Sequence, residues 1–179
     1  MKGTGWYGYT RSQALTTMFL PKIITPDYYA RASYCLDIEG SFFFCGGGAV
    51  GYGIVGNRDI EPKFLLGLLN STLLDWFLHK ISLRAYQTAY MYVKKYIEQL
   101  PICPINFMNA ADKDRHDRMV SLVERMLDLH KQLVSAKTDY AKTNLQRQID
   151  ATDAHIDKLV YQLYELTPDE IKIVEAAAR

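Results

Sequence analysis

The sequence predicts an α+β protein, in which a small mixed β-sheet with a packed helix is followed by an antiparallel, coiled-coil-like helical hairpin. Three observations support this class. Short runs of β-branched and aromatic residues, bounded by Pro or Gly, are concentrated in residues 20–55. Leucines recur at helical spacing in residues 57–81. Beyond residue 112, apolar residues alternate spacings of four and three over two long segments, which is typical of paired helices.

Five strands are predicted. Four of them lie in the first part of the chain, at residues 20–25, 34–38, 41–45 and 52–55. The sequence DIEG at 37–40 has the composition of a hairpin turn between the second and third. A fifth strand is predicted in AYMYVKKYIEQLPI, residues 89–102. Pro101 and Pro104 favour extended geometry in the residues before them, so this stretch is predicted to end the sheet and lead into the helical half.

One helix is predicted between the fourth and fifth strands, over residues 57–81. Asp59 or Glu61 is placed to cap it, and Pro62 suits its first turn. Its apolar side chains share one face, which we expect to pack on the sheet: Leu65, Leu68, Leu69, Leu73, Trp76 and Phe77.

The second half of the chain carries two apolar stripes on either side of the polar stretch SAKTDYAKT. The stripes comprise Met119, Val123, Met126, His130 and Leu133, then Leu145, Ile149, Thr152, Ile156, Leu159 and Leu163. They predict an antiparallel helical hairpin, or one long helix that pairs with something outside the chain. His130 is expected in the seam, where a polar residue fixes register. Thr167 and Pro168 begin a short terminal helix. We place the division between two domains at residues 107 and 108, giving 1–107 and 108–179.

Composition excludes several classes of protein. No apolar run reaches the roughly 20 residues of a membrane-spanning helix, and the beginning lacks the apolar stretch of a signal peptide. We therefore expect a cytoplasmic protein that does not bind membranes. Cys35, Cys45 and Cys103 match no paired zinc-ligand spacing, and they are predicted to be reduced structural thiols.

Charge and tyrosine are distributed unevenly along the chain. Residues 1–110 carry ten Lys and Arg against seven Asp and Glu, whereas residues 111–179 carry eleven against thirteen. Ten of the thirteen tyrosines precede residue 100. A mildly basic, tyrosine-rich module joined to an acidic helical one is compatible with nucleic-acid binding.

Two motifs resemble catalytic or cofactor signatures, and each has a structural explanation. Gly46, Gly48 and Gly51 satisfy G-x-G-x-x-G, but the following YGIVG favours a strand, whereas the phosphate-binding motif opens a helix. We interpret this segment as a hairpin loop. The order Pro26-Asp27 and then Glu61-Pro62-Lys63 resembles the PD…ExK order of metal-dependent nucleases, but Pro62 disfavours the central strand that those enzymes need.

Residues 79–96, HKISLRAYQTAYMYVKKY, mix basic, aromatic and amide side chains. Arg and Gln can make bidentate contacts to guanine and adenine edges, Lys neutralises phosphates, and Tyr packs on sugar or base. The same composition is also common on solvated surface, so two alternatives stand for this segment: DNA contact or plain surface.

A family resemblance extends over nearly the whole chain, in the following order of segments: WYGYTRSQAL, PKIITP, YCLDIEGSFFFCGGGAVGYGI, LLGLLNSTLLDWFL, YIEQLPICPI and DATDAHIDKLVYQLYELTPDEIKIVE. This ordered set resembles the TaqI-like C-terminal specificity domain of type IIG restriction-modification enzymes and adenine-specific DNA methyltransferases. The resemblance implies a target recognition domain that binds a short double-stranded DNA sequence, followed by helices that dock it on the enzyme. An N-P-P-Y methylation motif is absent, so the chain looks like a C-terminal fragment without catalysis of its own. S-adenosylmethionine and Mg²⁺ are expected in upstream domains, including a methyltransferase domain.

Eight side chains are the candidate DNA contacts. Those predicted to contact bases are Arg11, Gln13, Arg84, Gln87 and Tyr90; those predicted to contact phosphates are Lys80, Lys94 and Lys95. Lys94 and Lys95 are neighbours, so on the predicted strand they would point to opposite faces. The alternative function is a protein-interaction module that assembles through the heptad-patterned helices.

Overall fold

The computed structural model describes residues 16–43, 51–56, 60–85 and 88–177. Its strands are β1 (Lys22–Thr25), β2 (Tyr28–Tyr29), β3 (Cys35–Asp37), β4 (Tyr52–Ile54), β5 (Arg84–Ala85) and β6 (Ala89–Met91). Its helices are α1 (Pro62–Asn70), α2 (Thr72–Ile81), α3 (Lys94–Ile97), α4 (Ala110–Ser135), α5 (Asp139–Leu163) and α6 (Pro168–Ala177). The predicted α+β class with a helical hairpin is confirmed. Among the described residues, no helix is long and apolar enough to cross a membrane.

The described strands form two three-stranded sheets, in the orders β3-β1-β4 and β2-β6-β5. Every pairing in them is antiparallel, which corrects the expectation of a mixed sheet. The predicted strand at 41–45 is wrong for its described part, residues 41–43. The Asp37 carboxylate accepts hydrogen bonds from the amides of Ser41 and Phe42, both at 3.0 Å, so these amides are not available to a β-ladder. Gly40, with φ 64°, makes the turn.

A buried ion pair joins β1 to β3. Lys22 and Asp37 are Cα partners across the sheet, and their side chains are each 2% exposed. Lys22 Nζ also donates to the carbonyl of Met18 at 2.7 Å. Burial alone would raise the pKa of Asp37, but the hydrogen bonds from Lys22, Phe42 and Ser41 outweigh it and lower the pKa to about 2. The carboxylate therefore stays charged and paired inside the fold.

The helix predicted over 57–81 is two helices that meet at Ser71. Ser71 has extended dihedral angles, φ −67° and ψ 149°. Its hydroxyl donates to Leu68 O at 2.6 Å and accepts from Leu74 N, so one side chain satisfies the end of α1 and the start of α2. At the start of α1, Glu61 accepts from Phe64 N at 2.8 Å and Pro62 follows, as predicted.

The strand predicted over 89–102 is correct only for β6. After Met91 the Tyr92 amide bonds to Asp27 O at 2.8 Å, and the chain then turns into the short helix α3. Lys94 and Lys95 are therefore helical, and the expectation that they point to opposite faces of a strand is wrong. Residues 101–106 have neither helix nor strand, which agrees with a proline-bearing connection to the helical half.

The two long helices pack on each other within the chain as a hairpin, joined by residues 136–138. The buried side chains of these two helices include Met119, Val123, Leu129, Ile149, Thr152, Ile156 and Leu159. His130 is exposed, which corrects its predicted place in the seam, because the adjacent Leu129 is the buried residue. The terminal helix α6 is also present where it was predicted.

One hydrophobic core connects the helical hairpin to the preceding helices, and it includes Phe64, Leu74, Val123 and Val160. A polar link strengthens this contact, because the amide and hydroxyl of Thr72 donate to Asp157 at 2.8 and 2.5 Å. The division of the chain at residue 107 remains a prediction.

Gly67 of α1 packs closely against α4. A Cβ built there would lie 2.6 Å from Met119 Sδ and 2.9 Å from Val123 Cγ2. We expect Gly67→Val to lower the free energy of unfolding by about 1 to 3 kcal/mol, because the added atoms overpack this contact. Urea denaturation measures the change. Ala151→Val, at an exposed position of α5, is the control for the helix propensity of valine. An equal loss in both variants would contradict the close approach.

Candidate nucleic-acid interface

The predicted DNA-contacting segment contains a hairpin formed by β5 and β6, which we call the β5–β6 hairpin. Its strands pair through Arg84 with Tyr90 and Ala85 with Ala89. The hairpin follows α2 after two residues and precedes α3 by two residues. At its base, the hydroxyl of Ser82 accepts from the Met91 amide at 3.0 Å and donates to the Met91 carbonyl at 2.9 Å. The end of α2 and the start of α3 therefore both lie beside this hairpin.

Arg84 is exposed on β5, and one nitrogen of its guanidinium group is hydrogen-bonded to a described residue. Its Nε donates to the Tyr90 hydroxyl at 3.1 Å, and its Cζ lies 5.3 Å from the centroid of the Tyr90 ring. Neither Nη1 nor Nη2 has a hydrogen-bond partner among the described residues. These two nitrogens are the pair that a bidentate contact to O6 and N7 of guanine uses. Tyr90 thus orients the guanidinium, whose outer edge has no hydrogen-bond partner in the part of the chain that the structure describes.

Tyr90 is supported from inside the protein by His79 of α2. The two rings are stacked, with centroids 3.6 Å apart and planes 12° apart. His79 Nε2 lies 3.0 Å from the Tyr92 hydroxyl and 3.3 Å from Asp75 Oδ1. Tyr92 donates its single hydroxyl proton to Asp75 Oδ1 at 2.5 Å, so its oxygen accepts from His79 and Nε2 carries a hydrogen.

The electrostatics of this network favour a neutral histidine and neutral tyrosine. Burial lowers the pKa of His79; Asp75 opposes this shift and Arg84 adds to it. Burial also raises the pKa of Tyr92, and the neighbouring Asp75 carboxylate raises it further. At neutral pH, His79 is therefore an uncharged ring that stacks on Tyr90, and Asp75 is the acceptor that fixes both hydroxyl and imidazole.

The three candidate phosphate-binding lysines are exposed and lie in the two helices that adjoin the base of the β5–β6 hairpin. Lys80 is in the last turn of α2, where its Nζ lies 5.5 Å from the centroid of the Trp76 ring. Lys94 and Lys95 are in α3, and Lys95 Nζ lies 5.4 Å from the Tyr96 ring. Two neighbours on a helix project about 100° apart, so both lysines can reach one surface.

The remaining candidate contacts, Arg11, Gln13 and Gln87, lie outside the described residues. Gly46 and Gly48 of the glycine motif also lie outside them, whereas the segment after Gly51 forms the strand β4, as predicted. The structure therefore brings Lys80, Arg84 and Tyr90 together with Lys94 and Lys95 around one hairpin.

Glu61 and Lys63 of the nuclease-like motif have structural partners, whereas Oδ1 of Asp27 is buried without a hydrogen-bond partner among the described residues. The Glu61 side chain caps α1, and Lys63 pairs with Glu124 of α4 at 2.5 Å. In the part of the chain that the structure describes, no group of three or more His, Cys, Asp or Glu is arranged to hold a metal ion.

A separate cleft of about 430 Å³ lies between α1 and the helical hairpin. Asp150 and Asp153 line it, together with Arg31 and His130. Partial burial raises the pKa of Asp153, and the neighbouring carboxylates of Asp157 and Asp150 raise it further. Carboxylates that repel one another disfavour a bound polyanion, so this cleft is a poorer phosphate site than the lysine-flanked hairpin.

The sequence alone did not identify the residues that support the hairpin. His79 is isolated from other histidines, and its partners are contributed by two different elements. Two local signals were present: His79 follows Asp75 by four residues on one helix, and Tyr90 and Tyr92 are two apart, which places them on one face of an extended chain.

Fold and site together define a small α+β domain that presents arginine and lysine side chains around an exposed hairpin. Residues 6–102 match the family model described as the TaqI-like C-terminal specificity domain. The match covers more than half of the 179 residues, and the chain belongs to this family. The resemblance predicted from the ordered segments is thereby confirmed. Domains of this family provide DNA sequence specificity to restriction-modification enzymes. No curated protein gives a significant match to the chain.

Proposed function

We propose that the chain binds double-stranded DNA and recognises a short sequence through the β5–β6 hairpin, with no catalytic activity of its own. The observation that carries the proposal is Arg84, whose Nε is anchored on Tyr90 while its outer nitrogens have no partner among the described residues. A side chain held in this way loses less conformational entropy when it contacts a base.

The exposed lysines supply the second part of the proposal. Lys80, Lys94 and Lys95 lie in the two helices beside the base of the hairpin, where they can neutralise phosphates and set the orientation of the duplex. In this scheme the helical hairpin docks the domain on an upstream adenine-specific methyltransferase domain. That domain would bind S-adenosylmethionine, and Mg²⁺ would be required only by a nuclease domain of the same enzyme.

Salt-dependent binding tests the proposal. Fluorescence anisotropy with a labelled random-sequence duplex, repeated over a series of salt concentrations, is expected to show affinity that falls steeply as salt rises. Replacing Lys80, Lys94 and Lys95 with alanine should reduce the slope of log K against log salt by about three units, one for each lost phosphate contact.

The control variant replaces three exposed lysines of the helical hairpin, Lys131, Lys142 and Lys158, with alanine. Its slope should match that of the unmodified chain. Equal effects of the two triple variants would contradict a localised interface. Salt-insensitive self-association without any duplex binding would favour the alternative, a protein-interaction module.

A further inference from the structure

His79 lies beneath the β5–β6 hairpin, and the proposed DNA contacts do not use it. Its side chain is 18% exposed, and its ring covers one face of Tyr90 at a centroid distance of 3.6 Å. A flat ring in contact with another flat ring restricts the plane that the second ring can adopt. The plane of Tyr90 is therefore set by a residue of the helix beneath it.

His79 is itself held in place. Its Nε2–H lies within reach of two acceptors, the Tyr92 oxygen at 3.0 Å and Asp75 Oδ1 at 3.3 Å. Asp75 is fixed in turn, because Oδ1 also accepts from the Ala32 amide at 2.9 Å. The helix that carries His79 is anchored in the core through Leu78, which is 1% exposed. Rotation of the imidazole would break these contacts, so the ring is a rigid support.

The hairpin needs such a support because its own ladder is short. β5 has two residues and β6 has three; on its other edge β6 pairs with the two residues of β2, and strands this short give the sheet few ladder hydrogen bonds. Tyr90 in turn orients Arg84, because the Tyr90 hydroxyl accepts the hydrogen bond from Arg84 Nε. The direction of the guanidinium therefore depends on the position of the Tyr90 ring.

We propose that His79 is a positioning residue for DNA recognition: its ring holds Tyr90 in the plane from which the Tyr90 hydroxyl orients the Arg84 guanidinium. His79 touches no DNA in this scheme, and the inference rests on the proposed function of the hairpin. Loss of the ring should therefore reduce sequence preference more than overall affinity, because phosphate contacts by lysine do not depend on the plane of Tyr90.

Two substitutions separate stacking from simple packing. Both variants lose the hydrogen bonds from Nε2. His79→Leu gives a side chain of similar size without a flat ring, whereas His79→Phe keeps a flat ring. Each protein is used to select from a library of short duplexes with a randomised centre, and sequencing gives the enriched site. Binding is then measured by anisotropy on that site and on a random duplex. We expect His79→Leu to lower the preference on the order of fivefold, a part of what one direct base contact contributes. His79→Phe should keep the preference.

Hydrogen exchange supplies a readout that needs no DNA. The Met91 amide bonds to Ser82 Oγ and Leu83 O at the base of the hairpin. In His79→Leu this amide should exchange faster than in the unmodified chain, whereas the exchange rates of the α5 amides should stay the same. His79→Phe should retain the slow exchange.

The outcomes distinguish the two proposals. If the unmodified chain neither enriches a sequence nor binds duplex in a salt-dependent way, the proposed function and this inference both fail. If the unmodified chain enriches a sequence and His79→Leu enriches the same one with the same preference, only the role of His79 fails. A His79→Phe variant as defective as His79→Leu would also overturn it, because stacking would not be the property that matters.

Discussion

Replacing Leu159 with aspartate is expected to lower the free energy of unfolding by roughly 4 to 6 kcal/mol, because the change removes a core leucine and places a carboxylate in apolar surroundings. Leu159 is 3% exposed and belongs to the core that joins the helical hairpin to α1 and α2. Thermal and urea denaturation measure the loss. It is among the largest stability effects that we expect for a single substitution in this chain.

Two other aspartate variants give stability losses with which the loss in Leu159→Asp can be compared. Met126 packs against the same core but is half-buried, so Met126→Asp should cost less than Leu159→Asp. Ala154 is exposed on the same helix as Leu159, and Ala154→Asp carries the helix-propensity cost without burial. Its effect should stay below about 1 kcal/mol. Similar stabilities for Leu159→Asp and Ala154→Asp would show that the helical face is not packed as the structure has it.

Arg84→Ala is expected to weaken binding to the preferred duplex by about 1 to 3 kcal/mol, roughly a factor of 5 to 150 in Kd, with a much smaller effect on random duplex. The reason is that a bidentate contact to a base edge carries sequence information, whereas a phosphate contact does not. Anisotropy titrations on the enriched site and on a random duplex give the two affinities. The preference should relax at one base pair of the site.

Matched variants test whether Arg84 acts through its guanidinium. Arg125 is exposed on α4, and Arg125→Ala should leave both affinities unchanged. Tyr90→Phe keeps the ring that stacks on His79 but removes the acceptor of the Arg84 Nε hydrogen bond, so its effect should lie between those of Arg84→Ala and the unmodified chain. If Arg84→Ala weakens both duplexes equally, Arg84 is a phosphate contact and the assignment to a base edge is wrong.

The lysines beside the base of the hairpin should behave differently from Arg84. Because Lys94 and Lys95 are helical rather than on a strand, each is now expected to contribute to the same surface. Replacing them with alanine should weaken binding to the preferred and the random duplex to a similar extent. This contrast with Arg84 tests whether lysines contact phosphates while Arg84 contacts a base.

Local patterns in the sequence predicted much of the fold. The spacing of four and three along the second half predicted α4 and α5, and the acidic residue before Pro62 predicted the start of α1. These signals are reliable because they depend on side chains within a turn or two of one another. The ordered segments that indicated the family are also a property of the chain alone, and the match to residues 6–102 confirms the family over that part of the chain.

Only the tertiary structure decided where these elements stop and which side chains meet. The break at Ser71 and the change from β6 to α3 depend on capping and on contacts between distant parts of the chain, such as the Tyr92 amide on Asp27 O. The support of Tyr90 by His79 joins a helix to a strand eleven residues later, and Asp75 anchors it through Ala32 from another part of the fold. The spacing of apolar residues predicts which face of a helix or strand is buried. It does not predict which residues of the rest of the chain pack on that face, because those contacts depend on the three-dimensional arrangement of the elements.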